Sequence, residues 1–540
     1  MTTRDEERRW EALSPFELKD ELITLADDNT RLAAVTMLNA GRGNPNWTAT
    51  VPRDAFWLLG RFATGETRRD WDEWEGLGGM PQSEGIAGRL TAFLAEHRGE
   101  SGADLLSASV EYGVSRLGFD ADSWVGELAD AIIGDHYPMP PRSLAHVERV
   151  VARYLVQEMH ADREPDAPFD LFPTEGGTAA MCYLFDSLQV NGLLGKGDTI
   201  AIMTPVFTPY LEIPKLERYA FDVLELKADC TDQQGVHTWQ YADDEIDKLR
   251  DPKVKALFLV NPSNPPSVML APGTLDRIAE IVGRDNPDLA IITDDVYGTF
   301  VSGFRSLMAA APRNTLGVYS FSKYFGCTGW RLGVISLSQD NVFDERIARL
   351  PDADKQRLRE RYGSITLEPD KLRFIDRLVA DSRDVALNHT AGLSTPQQAQ
   401  MALFALFALL DEEGEYKRIC QSVIARRLHS LVKGMGVPVP HDEHAAHYYV
   451  ELDILSYVER TFDKGFADWL QANFEPADPV FRLAEKGSVV LLNGGGFDGP
   501  GWSVRVSLAN LPSDAYEKIG TWLRQVVEEY KTEYDASQAG

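Results

Sequence analysis

Lys323 stands between an apolar run, TLGVYS, and a glycine-rich turn, in the segment Ser320-Phe-Ser-Lys323-Tyr-Phe-Gly-Cys-Thr-Gly-Trp-Arg331-Leu-Gly. A lysine so placed is expected to be partly desolvated, so that its neutral, nucleophilic form becomes accessible. A neutral amine attacks an aldehyde and holds it as a Schiff base. Arg331 follows eight positions later among small residues, with a planar fork suited to a phosphate dianion. Taken singly, these are equally well a surface lysine and a structural arginine.

Other apolar runs end on groups that extend the same chemistry. LAIIT is followed by Asp294-Asp-Val-Tyr297. A carboxylate there can pair with a pyridine nitrogen and keep it protonated, and Tyr297 can hydrogen-bond a phenolic oxygen on the same ring. KALFLV is followed by Asn261-Pro-Ser-Asn264-Pro-Pro-Ser267, a stiff turn able to present an amide to that oxygen. Upstream, Gly176-Gly177-Thr178 opens an apolar helix, where glycines let backbone N–H groups approach an anion at the positive helix end. Each piece alone is ordinary turn or helix-start chemistry. In this order, each at a strand end, they describe a site for an aldehyde-bearing pyridine phosphate.

The elements that must position these groups are legible from about residue 140 onward. Short β-branched runs (TIAIM at 199–203, KALFLV at 255–260, LAIIT at 289–293, TLGVYSF at 315–321, LGVISL at 332–337) alternate with helical segments. Such runs suit the buried strands of a mostly parallel sheet, whose ligands sit beyond the strand ends. The expected fold class is α/β, with a large domain and a smaller α+β domain built around YYVELDI at 448–454 and VRVSLANL at 504–511. The expected division is 1–64 as an N-terminal segment joining the small domain, 65–134 as an acidic helical insertion, 135–395 as the large domain with a helical excursion at 340–390, and 396–540 as the small domain.

Composition excludes several classes. With 540 residues the chain needs more than one packed region. Its net charge of −29 argues against a nucleic-acid partner. The start, MTTRDEERRWEALS, has no apolar core and is not expected to be a secretory signal. The longest apolar run, MALFALFALL, is half the length that crosses a bilayer, so no membrane partner is expected. Four scattered cysteines, none at metal-ligand spacing, fit a reducing cytoplasm and no metal.

The same residues resemble the fold-type-I aminotransferase superfamily over roughly 35–48 and 135–511. That likeness implies pyridoxal 5′-phosphate as cofactor, with a seven-stranded sheet in the large domain. Position by position, Lys323 is similar to the Schiff-base lysine and Asp294 to the pyridinium partner. Asn264 and Tyr297 resemble the pair on the phenolic oxygen; Gly176, Gly177, Thr178, Ser320 and Arg331 resemble the phosphate cup. Phe207, in TPVFTPY, resembles the aromatic stacked on the ring, and Tyr137, in HYPMP, the tyrosine reaching the phosphate of a neighbouring subunit. Arg505 resembles the arginine on the substrate's α-carboxylate; a salt-bridged strand arginine is the plain alternative.

GRGNPNW, PTEGGTAAMCYLFDSL, LVNPSNPPSVM, DDVYGTFV and SFSKYFGCTGWRLG, with the long N-terminal insertion, resemble the aspartate 4-decarboxylase family more closely. This implies conversion of L-aspartate to L-alanine and CO2 with some aminotransferase activity, in a homodimer with shared sites or a larger assembly such as a dodecamer. Aspartate aminotransferases resemble one another in an arginine four residues before a Ser-Asn-Pro turn. The matching turn here is Ser394-Thr-Pro396, the residue four before it is Thr390, and no arginine lies between 384 and 394. A decarboxylase should hold the β-carboxylate loosely, or in a less polar place, because a firm grip favours the charged ground state over a transition state losing that charge. Arg42, in GRGNPNW, is the candidate for guiding this group; a loop arginine paired with surface acid is its plain alternative. Two other functions stay open: a plain aminotransferase for dicarboxylic or aromatic amino acids, and a cofactor-binding regulator without activity.

Overall fold

The computed structural model describes residues 2–539 apart from 12, 34–36, 70, 72–73, 387–391 and 441. Seven strands form the central sheet: β1 Phe169–Thr174, β2 Thr199–Thr204, β3 Asp222–Lys227, β4 Val254–Val260, β5 Ala290–Asp294, β6 Thr315–Ser320 and β7 Gly333–Ser338. Their order is β1-β7-β6-β5-β4-β2-β3. Neighbours run parallel except β7, which is antiparallel to both β1 and β6. Strict alternation divides the sheet's two faces: Leu257, Leu259 and Ile291 pack into one apolar layer, and Phe258, Val260 and Ile292 into the other. That double burial explains why these strands read as unbroken apolar runs. The amphipathic helix Pro272–Arg284 covers the first layer with Leu275, Ile278 and Ile281.

A second, antiparallel sheet is built from β8 Tyr449–Asp453, β9 Leu492–Asn493 and β10 Ser503–Ser507, in the order β9-β10-β8. Two long helices, Glu415–Met435 and Ala515–Ala539, pack together beside it. The N-terminal helix Pro15–Ala33 lies on the helix Asp478–Gly487, and Leu38–Asn39 pairs in parallel with Val489–Val490.

The region before residue 135 is helical: Val51–Arg69, Ile86–Glu96, Ala103–Ser115 and Ala121–Ile133. The last is bounded by its own sequence. Asp120 accepts from the Ser123 amide at 2.9 Å, and Gly134 ends the helix in the left-handed conformation. The expected divisions differ from the observed elements at two points. A boundary at 64/65 falls inside Val51–Arg69. The helix Thr395–Leu410, which a division at 395/396 places in the small unit, packs against Val51–Arg69, Ala121–Ile133 and Ala145–Met159. Its apolar run MALFALFALL is buried between those helices, and among the described residues no helix is long and apolar enough to cross a membrane.

Candidate active site

The parallel strands end in one place. Asp294 is the last residue of β5, Ser320 of β6, and Val260, just before the Asn261 turn, of β4. Asp294 is buried, its Oδ2 accepting from the Tyr210 hydroxyl at 2.6 Å and its Oδ1 from the Val296 amide at 3.2 Å. Burial raises its carboxyl above the ordinary range, opposed by the Tyr210 hydrogen bond and the charge of Lys323.

Lys323 follows β6 in a loop fixed by aromatic packing: Phe321 and Phe325 are fully buried and stacked at 5.8 Å. Its Nζ donates to the Gly43 carbonyl at 2.9 Å, and the Tyr448 hydroxyl donates to the same oxygen at 2.9 Å. The segment carrying Gly43 is docked on the lysine loop. Trp47 Nε1 donates to the Tyr324 carbonyl at 3.1 Å and Arg53 Nη2 to the Gly326 carbonyl at 2.8 Å. Gly326 has φ +59°, and a Cβ there would collide with the Trp47 carbonyl, so only glycine permits this docking.

Arg505 comes from β10 of the second sheet and is buried. Its Nη1 donates to Asn264 Oδ1 at 3.0 Å and its Nη2 to the Gly41 carbonyl at 2.8 Å. The guanidinium lies over the rings of Tyr449 at 4.3 Å and Phe497 at 5.0 Å. The Tyr297 hydroxyl donates to that of Tyr449 at 3.1 Å. Lys323, Asp294, Asn264, Tyr297 and Arg505 are thus brought together from both sheets, joined by Tyr448, Tyr449 and the Gly41–Gly43 backbone.

Beyond the ends of β1 and β6, a helix start meets Arg331 and Ser320. Gly176 (φ +92°) precedes the helix Gly177–Val190, whose start has no side-chain cap, so its first amides are open. A Cβ on Gly176 would sit 2.5 Å from Arg331 Nη2, and one on Gly177 would be 3.7 Å from the Ser320 side chain. Arg331 is exposed, donating through Nη1 to the Thr328 carbonyl at 3.1 Å; Thr178 is exposed at the helix start. Ser320 Oγ donates to Ser322 Oγ at 2.9 Å. Phe207 is half-buried, edge-on to Tyr210 and to Phe16, each at 5.7 Å.

Tyr137 is at the surface, 63% exposed. Arg42 is exposed as well, held between Gly41, tied to Arg505, and Gly43, tied to Lys323. Thr390 lies outside the described residues. Sequence reasoning passed over Tyr210, Tyr448 and Tyr449. All three stand in strings already of interest, TPVFTPY and YYVELDI, but their partners are 84 to 405 residues away. An aromatic pair opening a strand was the only signal.

Residues 173–520 match the family model for aminotransferase class I and II. A bifunctional aspartate aminotransferase and L-aspartate beta-decarboxylase from Pseudomonas sp. is 49% identical over 525 residues, 97% of each chain. This protein belongs to the class I and II aminotransferases. Among solved structures, a Thermus thermophilus aspartate aminotransferase double mutant has a TM-score of 0.58 at 17% identity, covering 96% of this chain and 98% of its own. An aromatic aminotransferase from Pyrococcus horikoshii OT3 has a TM-score of 0.55 at 18% identity, covering 94% and 99%. These aminotransferases share the fold, the fold-type-I architecture that the resemblance of the site residues implied and the α/β class that the strand pattern predicted. The family depends on pyridoxal phosphate.

Proposed function

We propose that this protein is a pyridoxal-phosphate-dependent aspartate β-decarboxylase, converting L-aspartate to L-alanine and CO2, with aspartate aminotransferase activity on the side. What carries the reading is the full-length likeness to the Pseudomonas protein, whose name covers both activities. The residues also fit the cofactor: the uncapped helix start beside Arg331 is a cradle that a single Cβ would fill.

Gly176, Gly177, Thr178, Ser320 and Arg331 would hold the phosphate, Phe207 the ring face, and Asn264 and Tyr297 the phenolic oxygen. Lys323 would hold the aldehyde carbon covalently. When bound, the cofactor supplies an electron sink for charge developing on carbons near the substrate nitrogen. Asp294 would face the ring nitrogen; a cation there would lower its raised carboxyl and fix it as a carboxylate, with Tyr210 setting its orientation. The Lys323 amine would move the proton at Cα. Arg505 binds the α-carboxylate through its fork. Arg42, on the exposed loop, guides the β-carboxylate without enclosing it, which leaves that group free to lose its charge as CO2 departs.

We further infer a homodimer with shared sites, each completed by Tyr137 of the other copy, in the reducing cytoplasm that four unpaired cysteines suit. The working division is a sheet unit carrying the acidic helical insertion and a smaller unit to which the N-terminal segment belongs. The test is incubation with L-aspartate alone. Alanine and CO2 released without added keto acid support the reading. Oxaloacetate formed only when a keto acid is supplied would leave a plain aminotransferase instead. Loss of the cofactor's absorption band in Lys323→Ala tests the lysine independently.

A further inference from the structure

Glu451 stands directly opposite Arg505 in the ladder between β8 and β10, so both side chains leave the same face of the small sheet. It is buried, 7% exposed. Its Oε1 accepts from the Ser503 hydroxyl, while its Oε2 is buried with no hydrogen-bond partner among the described residues. Arg505 Nε, on the facing side chain, is likewise buried and unpartnered. The two do not form an ion pair: one N–H of each terminal nitrogen of the arginine goes to Asn264 or Gly41, which leaves the other N–H of each for a ligand.

A half-satisfied carboxyl beside the carboxylate-binding arginine needs an account. The charged groups around it are few. On β10 it meets Arg505 and Ser503, and on its own strand Asp453, which pairs with His237 at 3.0 Å from the loop packed outside. Asp498, beyond the Gly494–Phe497 turn, interacts with Glu225, Lys215 and Lys227 instead. Burial pushes the Glu451 carboxyl up to about 7; Asp453 adds to this, and Ser503, Arg505 and His237 oppose it. A carboxylate docked on Arg505 cancels one of the opposing influences. Ser503 and His237 still oppose, but burial, the largest influence, and the neighbouring Asp453 favour the protonated form.

We infer that Glu451 takes up a proton as a substrate carboxylate docks on Arg505, so that the buried wall never carries a net negative charge. Arg505 and an ionised Glu451 sum to zero before docking; Arg505, the carboxylate and a protonated Glu451 sum to zero after it. This rests on the assignment of Arg505 to the α-carboxylate. It makes Glu451 a positioning residue that sets how tightly carboxylates bind as pH rises.

The test is calorimetric titration of the holoenzyme with succinate, a dicarboxylate without an amine, in buffers of differing ionisation enthalpy at pH 8. The wild type is expected to take up close to one more proton per site than Glu451→Gln, a variant of nearly the same shape. Above neutrality, wild-type succinate affinity should fall more steeply with pH than that of Glu451→Gln, approaching about tenfold more per pH unit. Proton uptake elsewhere in the molecule is common to both proteins and cancels in the difference. Equal proton uptake in the two, with Arg505→Lys still weakening succinate, would overturn the role of Glu451 alone. Unchanged succinate affinity in Arg505→Lys would instead remove the assignment beneath it. Should Glu451→Gln fold poorly, infrared difference spectra of the wild type decide: a protonated-carboxyl band must appear on binding succinate, and its absence refutes the proposal.

Discussion

Asp294 and Asp295 are consecutive buried carboxyls with different surroundings. Asp294 points toward Tyr210 and feels the charge of Lys323; Asp295 accepts from Thr293 and Ser306 behind the sheet. Asp294→Asn should therefore lower kcat for aspartate by roughly 10²–10³, as loss of a charge beside the electron sink. Tyr210→Phe, which removes one hydrogen bond to that charge, should cost about 3–10-fold with little change in KM. Steady-state kinetics check both. Asp295 belongs to stability. Burial pushes it up to about 7, so the folded chain holds its proton where the unfolded chain has lost it. Its contribution then falls as pH rises from about 4 to 7, by on the order of 4 kcal/mol at most. Asp295→Asn should accordingly gain stability relative to wild type between pH 5 and pH 8; a Tm difference constant over that range would refute this. Lys323 and Asp294 were readable because each follows an unbroken apolar run, which marks a strand end without any knowledge of partners. Glu451 was not, since in the string YYVELDI it is an ordinary polar residue, and only the ladder sets it opposite Arg505.

Elements repeat the pattern. Five of the seven central strands were visible as β-branched runs, and the observed β2, β4, β5, β6 and β7 coincide with them to within a residue at every end. The other two are edges. β3 carries the charged residues Asp222, Glu225 and Lys227, and β1 includes Asp170 and Pro173, so neither has the uniform apolarity of the central strands. The division of the helices was harder to read because MALFALFALL announces burial but not its neighbours. At the start of the helix Gly177–Val190, Gly176→Ala would place a Cβ in a left-handed backbone and against Arg331. The expected result is a loss of about 1 kcal/mol in stability and a larger loss of cofactor retention, measured by absorbance after gel filtration. Equal retention would mean the anion cradle lies elsewhere.

At the scale of the whole molecule, the proposed pairing of copies makes a prediction about mixtures. Lys323→Ala lacks the amine but keeps Tyr137; Tyr137→Ala keeps the amine but loses the reach to its neighbour. Refolded together, they should form hybrids with one complete site, and activity should rise above that of either variant alone. Activity equal to the average of the two would mean that Tyr137 serves its own chain. The molecule also gathers its site from both ends of the polypeptide. Arg505 and Gly41, hydrogen-bonded through Nη2, are separated by 464 residues. A ribosome adding about 5–20 residues per second needs ~25–90 s to cover that distance. During synthesis the glycine loop and the apolar face of the first long helix therefore wait, solvent-exposed, for strands not yet made. Chaperone demand should consequently fall most heavily on nascent chains that have passed the central sheet but not yet released their last strand.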